Sequence, residues 1–182
     1  MADLERNNLW APWRIGYVQG LDDGQASSGT DRQGGGCFLC RINSDTANDR
    51  DNLVLWRTPH GIVVLNRYPY NNGHMLVAPV RHIADLAQAD DEELLELTKL
   101  VRDTQKALTC AISPHGFNVG MNFGRCAGAG LPDHLHIHIV PRWNGDTNFM
   151  SVCADTKVIS QSLAELLEQL RQVSREHNLP AL

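Results

Sequence analysis

An α+β fold built on one antiparallel sheet is predicted by three observations. Short runs rich in β-branched and apolar residues follow one another across turn-forming stretches, two amphipathic patterns with capping signals stand apart from them, and the run His134-Leu135-His136-Ile137-His138-Ile139-Val140 alternates histidine with apolar side chains. Strands in neighbouring hairpins with segregated helices point to an antiparallel sheet of about five strands rather than a doubly wound one.

The 182 residues suffice for one domain with a hydrophobic core and not for two ordinary ones. Residues 1–36 are expected to form an aromatic segment followed by a mobile loop, and 37–182 a single domain. In 9–18, Trp10, Trp13 and Tyr17 must dock somewhere, on the body of the domain or as a wall of a ligand pocket or subunit contact. The stretch 19–36 is Gly, Ser, Asp and Gln with almost nothing to bury.

Strands are expected over 53–56, 61–66 and 75–80, with a hairpin turn over 68–73, where Tyr, Pro, Asn and Gly cluster. Pro79 suggests an edge or an irregular strand end. Asp90 and Glu93 form a capping-box pattern, and Leu94, Leu97, Val101, Leu108 and Ile112 continue it as one long helix that stops before Pro114 and covers a sheet face. A strand over 116–123, a glycine-rich loop over 124–130 and the histidine strand over 134–141 follow, the last ended by Pro141-Arg142. Ser162 with Glu165 opens a C-terminal helix through Leu163, Leu166, Leu170 and Val173.

Charge and composition narrow the function classes. A formal net charge of −5 argues against a general polyanion-binding surface, so nucleic acid and anionic membrane are not expected partners. No apolar stretch approaches the roughly 20 residues that span a bilayer, and the N-terminal residues lack a secretory h-region. Five cysteines, an odd number without framework spacing, fit a reducing compartment, and a cytoplasmic location is expected. Cys110, Cys126 and Cys153 read as free thiols.

Side chains alternate faces along a strand, so His134, His136 and His138 share one face. A nucleophilic imidazole must be neutral, with one nitrogen aimed at the substrate and the other N–H held by an acceptor. His136 is best placed to attack phosphorus, with His138 contacting a phosphate oxygen or the leaving group. The loop from Asn122 to Gly130 brings backbone N–H groups toward phosphate oxygens because glycine permits the approach. A metal site or a merely polar face is the alternative for this run. Cys37-Phe38-Leu39-Cys40 has the separation at which one turn presents two thiolates to a tetrahedral metal; a reduced dithiol or a redox pair are the alternatives.

The segment from His134 to Val140 matches every position of His-φ-His-φ-His-φ-φ, with φ apolar, and Asn66, Pro69 and Gly73-His74 match the hairpin of the same family. On these residues the chain resembles the histidine triad (HIT) superfamily, over most of its length. The resemblance implies an α+β HIT fold, dimers whose sheets join, and nucleotide hydrolase or transferase activity through a covalent nucleotidyl-histidine.

By position, the resemblance makes His136 the nucleophile and has His138 contact the phosphates and help protonate the leaving group. It places Asn66 on the ribose hydroxyls, and Asn122 with Gly128, Ala129 and Gly130 on the phosphates. His74 reads as a buried structural residue, and His60, His115 and His177 as surface or turn residues. Family members that carry the cysteine pair complete a structural zinc site with residues corresponding to His82 and His134.

The segment from Pro141 to Phe149, with the early Trp10 and Trp13, resembles the bacterial branch near diadenosine tetraphosphate phosphorylases and fragile-histidine-triad hydrolases. That branch implies cleavage of dinucleoside polyphosphates, resolved by water or phosphate. Ala129-Gly130 stands where those phosphorylases can carry Gly-Ser, which leaves the acceptor open. Trp143 is expected to stack on a base or fill a subunit contact. Release of AMP from a phosphoramidate or adenylyl sulfate, and a nucleotide-binding sensor, are the alternative functions.

Overall fold

The computed structural model describes residues 36–146 and 159–182. The aromatic segment 9–18, nearly all of the stretch 19–36, and Cys153 lie outside the described residues. Among these residues ten elements follow one another: α1 (Phe38–Ser44), β1 (Val54–Arg57), β2 (Gly61–Leu65), β3 (Met75–Pro79), a 3-10 turn (Leu86–Gln88), α2 (Asp91–Ile112), β4 (Gly116–Met121), a 3-10 turn (Arg125–Ala127), β5 (Ile137–Arg142) and α3 (Leu163–Glu176).

The five strands form one antiparallel sheet in the order β1-β2-β3-β5-β4, as the α+β reading expects. Alternation sorts its side chains. Leu55, Val63, Leu65, Met75, Val77, Ile137 and Ile139 face the core under α2 and α3, while Val54, Ile62, Val64, Leu76 and Ala78 pack on Leu39 and Ile42 of α1. A register shift between Val54 and Trp56 turns both Leu55 and Trp56 to the helix side.

Both helix starts hold as read. Asp90 accepts from the Glu93 N–H while Glu93 accepts from the Asp90 N–H, and Ser162 accepts from the Glu165 N–H. Glu93 also takes the Arg81 guanidinium at 2.7 Å, which draws the chain after β3 onto the start of α2. That hydrogen bond, outweighing the opposing cost of burial, holds the Glu93 carboxyl down at about 2.

The histidine strand departs from its expected bounds. Pairing starts at Ile137, not at 134, because the preceding polar groups are used elsewhere: the Leu135 N–H donates to the Ile83 carbonyl at 2.6 Å and the His134 ring to the Pro79 carbonyl at 3.0 Å. Pro141 does not end the strand either, since it pairs with Phe117 and Arg142 pairs with Gly116. Its carbonyl faces the hairpin, where Asn71 donates to it at 3.0 Å, so the side on which proline lacks an N–H is turned away from β4. The 116–123 strand stops at Met121, and Pro79 closes β3 opposite Gly61.

Candidate active site and metal centre

Four donor atoms converge where α1 meets the lead-in to β5. Cys37 at the start of α1, Cys40 one turn on, His82 after β3 and His134 before β5 place their ligand atoms within 4.8 Å of one another. The His134 Nδ1 lies 3.1 Å from the Cys37 Sγ, 3.5 Å from the Cys40 Sγ and 3.2 Å from the His82 Nδ1, and the His82 Nδ1 lies 3.2 Å from the Cys40 Sγ.

A tetrahedral zinc with ordinary bond lengths separates two imidazole nitrogens by about 3.3 Å and a nitrogen from a sulfur by about 3.6 Å. The donor set fits such an ion. Because the Pro79 carbonyl only accepts, the His134 Nε2 carries the proton and its Nδ1 keeps the lone pair that a metal needs. Burial, then the hydrogen bond and charge of Cys37, push the Cys40 thiol up to about 11, the cost that a bound cation would reverse.

Two residues along, the same logic fixes His136. Its Nδ1–H donates to the His134 carbonyl at 2.8 Å, so Nε2 is the unprotonated nitrogen. Burial lowers its pKa, with the carbonyl hydrogen bond opposing, and the ring is neutral near pH 7.

His138 is set from across the sheet by His74, which is fully buried. The His74 Nδ1 accepts the Tyr70 backbone N–H at 3.1 Å and lies 3.2 Å from the Asn66 Nδ2. Its Nε2–H therefore donates to the His138 Nδ1 at 2.9 Å, which leaves the His138 Nε2–H as a free-standing donor. Burial first, and the neighbouring imidazoles second, hold His74 at about 3 and His138 at about 4. The relay is a chain of neutral rings in fixed tautomers. The Tyr70 ring stacks on His138 with centroids 5.7 Å apart.

Two cavities flank this relay. The first, of 230 Å³, is lined by Asn66, Gly130, His136 and His138 over an apolar floor that includes Leu53 and Val64. The second, of 410 Å³, lies along β4 and β5 and is lined by Asn118, Gly120, Asn122 and Arg142; Tyr70 and His138 border both.

Of the expected site residues, Asn66, Gly130, His136 and His138 come together, and Asn122 meets His138 only in the second cavity. Gly128 and Ala129 turn their N–H groups inward, to the Arg125 and Gly124 carbonyls. The Asn66 amide is already engaged, its Oδ1 taking the Tyr68 N–H at 2.9 Å. Trp143 lines neither cavity; its indole N–H donates to the Ser113 carbonyl at 3.2 Å, at the end of α2. Sequence reasoning missed Tyr70, read only as a turn former, and the link from His74 to His138. It also missed the Asn144 N–H that the His115 Nδ1 accepts at 3.0 Å.

Residues 47–145 match the family model of the HIT domain. Over 118 residues the chain is 42% identical to an AP-4-A phosphorylase from Mycobacterium tuberculosis (strain ATCC 25618 / H37Rv), a match that covers 65% of this chain and 60% of that protein's length. It is 34% identical over 108 residues to an adenosine 5'-monophosphoramidase from Schizosaccharomyces pombe, covering 59% and 75% of the two. The crystal structure of a Zn-bound histidine triad family protein from Mycobacterium smegmatis shares the fold with a TM-score of 0.63 at 23% identity, over 78% of this chain and 95% of that one.

Proposed function

The chain belongs to the HIT domain family, and on that premise we propose that it cleaves dinucleoside polyphosphates of the diadenosine tetraphosphate class through a nucleotidyl intermediate on His136. The observation that carries this reading is the tautomer of His136: with Nδ1–H tied to the His134 carbonyl at 2.8 Å, Nε2 is the nucleophilic nitrogen. Its neighbours at the first cavity, Asn66, Gly130 and His138, are the groups a nucleoside 5'-phosphate needs around a reacting phosphorus.

In the first half-reaction the Nε2 lone pair forms a bond to phosphorus and the bridging P–O bond breaks, its electron pair leaving with the departing nucleotide. A polyphosphate departs as a stabilised anion and needs no proton. The His138 Nε2–H therefore acts as a hydrogen-bond donor to oxygens whose charge grows in the transition state. In the second half-reaction the oxygen of water or phosphate attacks the same phosphorus, the P–N bond breaks with its electron pair returning to His136, and the surplus proton of an attacking water passes to solvent as the product phosphate ionises. Asn122 and Gly130 are assigned to the phosphates and Asn66 to the ribose, while Gly128 and Ala129, whose N–H groups are spent on the Arg125 and Gly124 carbonyls, shape the loop that carries them.

Cys37, Cys40, His82 and His134 would hold a zinc ion. With four protein ligands it has no open position, so it supplies structure and not chemistry. Residues 37–182 form one domain in this reading, the protein is cytoplasmic, and it pairs into homodimers. Edge strand β4, with Val119 45% exposed, is the surface on which two sheets would join. No helix among the described residues is long and apolar enough to cross a membrane.

The test is to incubate the pure protein with diadenosine tetraphosphate, with and without phosphate. ADP plus ATP formed only with phosphate identifies a phosphorylase, and AMP plus ATP in buffer alone a hydrolase. Tight binding of nucleotide with no turnover sinks the reading in favour of a sensor. The Schizosaccharomyces pombe relative favours one second reading, release of AMP from a phosphoramidate; faster turnover of adenosine 5'-phosphoramidate than of the dinucleotide would establish it.

His74 supplies a separate prediction. His74→Phe keeps the ring volume and removes the donor to the His138 Nδ1, so kcat should fall about 10–100-fold with KM little changed. A fall in kcat/KM carried by KM alone would show that His74 does not position His138.

A further inference from the structure

We propose that Asp146, acting through Asn71, is a positioning residue that holds the hairpin between β2 and β3 against β5 and so fixes the hydrogen-bond relay that ends at His138. Its consequence for turnover rests on the functional reading above. The hairpin carries both the Tyr70 N–H and His74, and the tautomers of His74 and His138 depend on that N–H meeting the His74 Nδ1 at 3.1 Å. Pairing of β3 with β5 begins at Met75, so the turn lies beyond the ladder.

Asn71 ties the turn down. The residue is 6% exposed, and its amide gives hydrogens to the Pro141 carbonyl at 3.0 Å and to the Asp146 Oδ2 at 2.8 Å. Its backbone carbonyl accepts the His74 N–H at 3.2 Å. One residue therefore closes the turn onto His74 and fastens it to the end of the strand on which His138 stands.

The chemistry at the far end calls for a carboxylate. The Asp146 Oδ2 accepts the Arg142 Nε–H at 2.6 Å and the Trp143 N–H at 3.2 Å as well as Asn71, and Oδ1 accepts from the Arg142 NH2 at 2.8 Å. An amide in its place would turn its own N–H groups toward donors on one side or the other. A local turn delivers the group: the Asp146 N–H donates to the Trp143 carbonyl at 3.1 Å, with Gly145 at φ +78°, in the left-handed region. Asp146 is thus folded back over Arg142, its side chain 7% exposed. Withdrawing Asn71 would leave a buried carboxylate oxygen and the Pro141 carbonyl each short of a donor, which favours the closed hairpin. In this role neither Asn71 nor Asp146 has to meet a ligand.

The test reads the His138 ring. With histidine isotope-labelled at its ring nitrogens, the wild-type protein at neutral pH is expected to show His138 as one tautomer, bare at Nδ1 and protonated at Nε2, the signal being assigned by its loss in His138→Gln. In Asp146→Ala that signal should move toward the average of the two tautomers, and kcat for diadenosine tetraphosphate should fall about tenfold or more with KM within about twofold. Asn71→Ala cuts the link from its other end and leaves the Asp146–Arg142 pair whole. It should give the same shift, and it decides the matter if Asp146→Ala folds poorly.

Ser174→Ala supplies the comparison for general loosening. It removes the acceptor of the buried Trp56 Nε1–H at 3.1 Å, between α3 and β1, and should lower Tm without moving the His138 signal. A His138 signal that stays in place in the folded Asp146 and Asn71 variants, one that moves as far in Ser174→Ala, or a wild-type ring protonated at Nδ1 would each overturn the proposal. The ring spectra need no substrate, so failure to cleave the dinucleotide counts against the proposed function alone.

Discussion

His136→Ala is expected to lower turnover of diadenosine tetraphosphate by at least about 10³-fold, because it removes the atom that bonds to phosphorus. The fold should survive. The side chain lies in the lead-in to β5 rather than in its ladder, and the strand's register rests on Ile137 and Ile139, buried on the opposite face. Near-normal rates in a variant with wild-type circular dichroism would remove His136 from the mechanism.

The same residue sets a pH dependence. Only the neutral ring is a nucleophile, and burial lowers its pKa below the ordinary histidine value of about 6.5. A lowered pKa keeps the active form present to lower pH and loses it as pH falls through the folded value. The acid limb of kcat/KM should therefore lie below pH 6.5, with the neutral form of His138 persisting to about 4. An acid limb at 6.5 or above, with zinc content measured in parallel, would contradict the buried neutral tautomer.

What could be read in the sequence is what depends on local period. Alternation exposed the strands, and Asp90-Glu93 and Ser162-Glu165 marked helix starts because a cap is satisfied within four residues. The Cys-x-x-Cys pair was legible because one helical turn sets its geometry. The first residue paired in β5 was not, since the chain from His134 to His136 spends its polar groups on Ile83 and Pro79, partners that only the tertiary fold supplies.

The site divides in the same way. Three histidines on one face follow from period two, yet the tautomers of His134 and His138 follow from the Pro79 carbonyl and the His74 ring, partners that only the tertiary fold supplies. His74 and His138 are 64 residues apart and meet only because β3 pairs with β5. Tyr70 and Trp143 illustrate the limit for aromatics: one stacks over the relay and the other sits at the end of α2, and composition gives both the same meaning.

The largest structural effect is expected at the metal centre. Protein purified without chelator should carry about one zinc per chain, and less than about half an equivalent would count heavily against the site. Cys40→Ala should abolish binding and cost on the order of 3 kcal/mol, a fall in Tm of about 6–12 °C for a chain of this size. Activity should suffer without any role for the metal in the chemistry. Helix α1 presents Cys40 to the metal centre while Phe38, Arg41 and Ile42 line the first cavity, so releasing one face of a seven-residue helix loosens the other. Alone, so short a helix is not stable in water. Its hold on the sheet comes from Leu39, Ile42 and the metal ligands, and Cys40→Ala removes the part that ties it to His82 and His134. The expected signature is a raised AMP Kd with the His136 chemistry intact at saturating substrate. A variant that loses zinc but keeps both its Tm and its AMP affinity would show that the cluster does not brace the cavity wall.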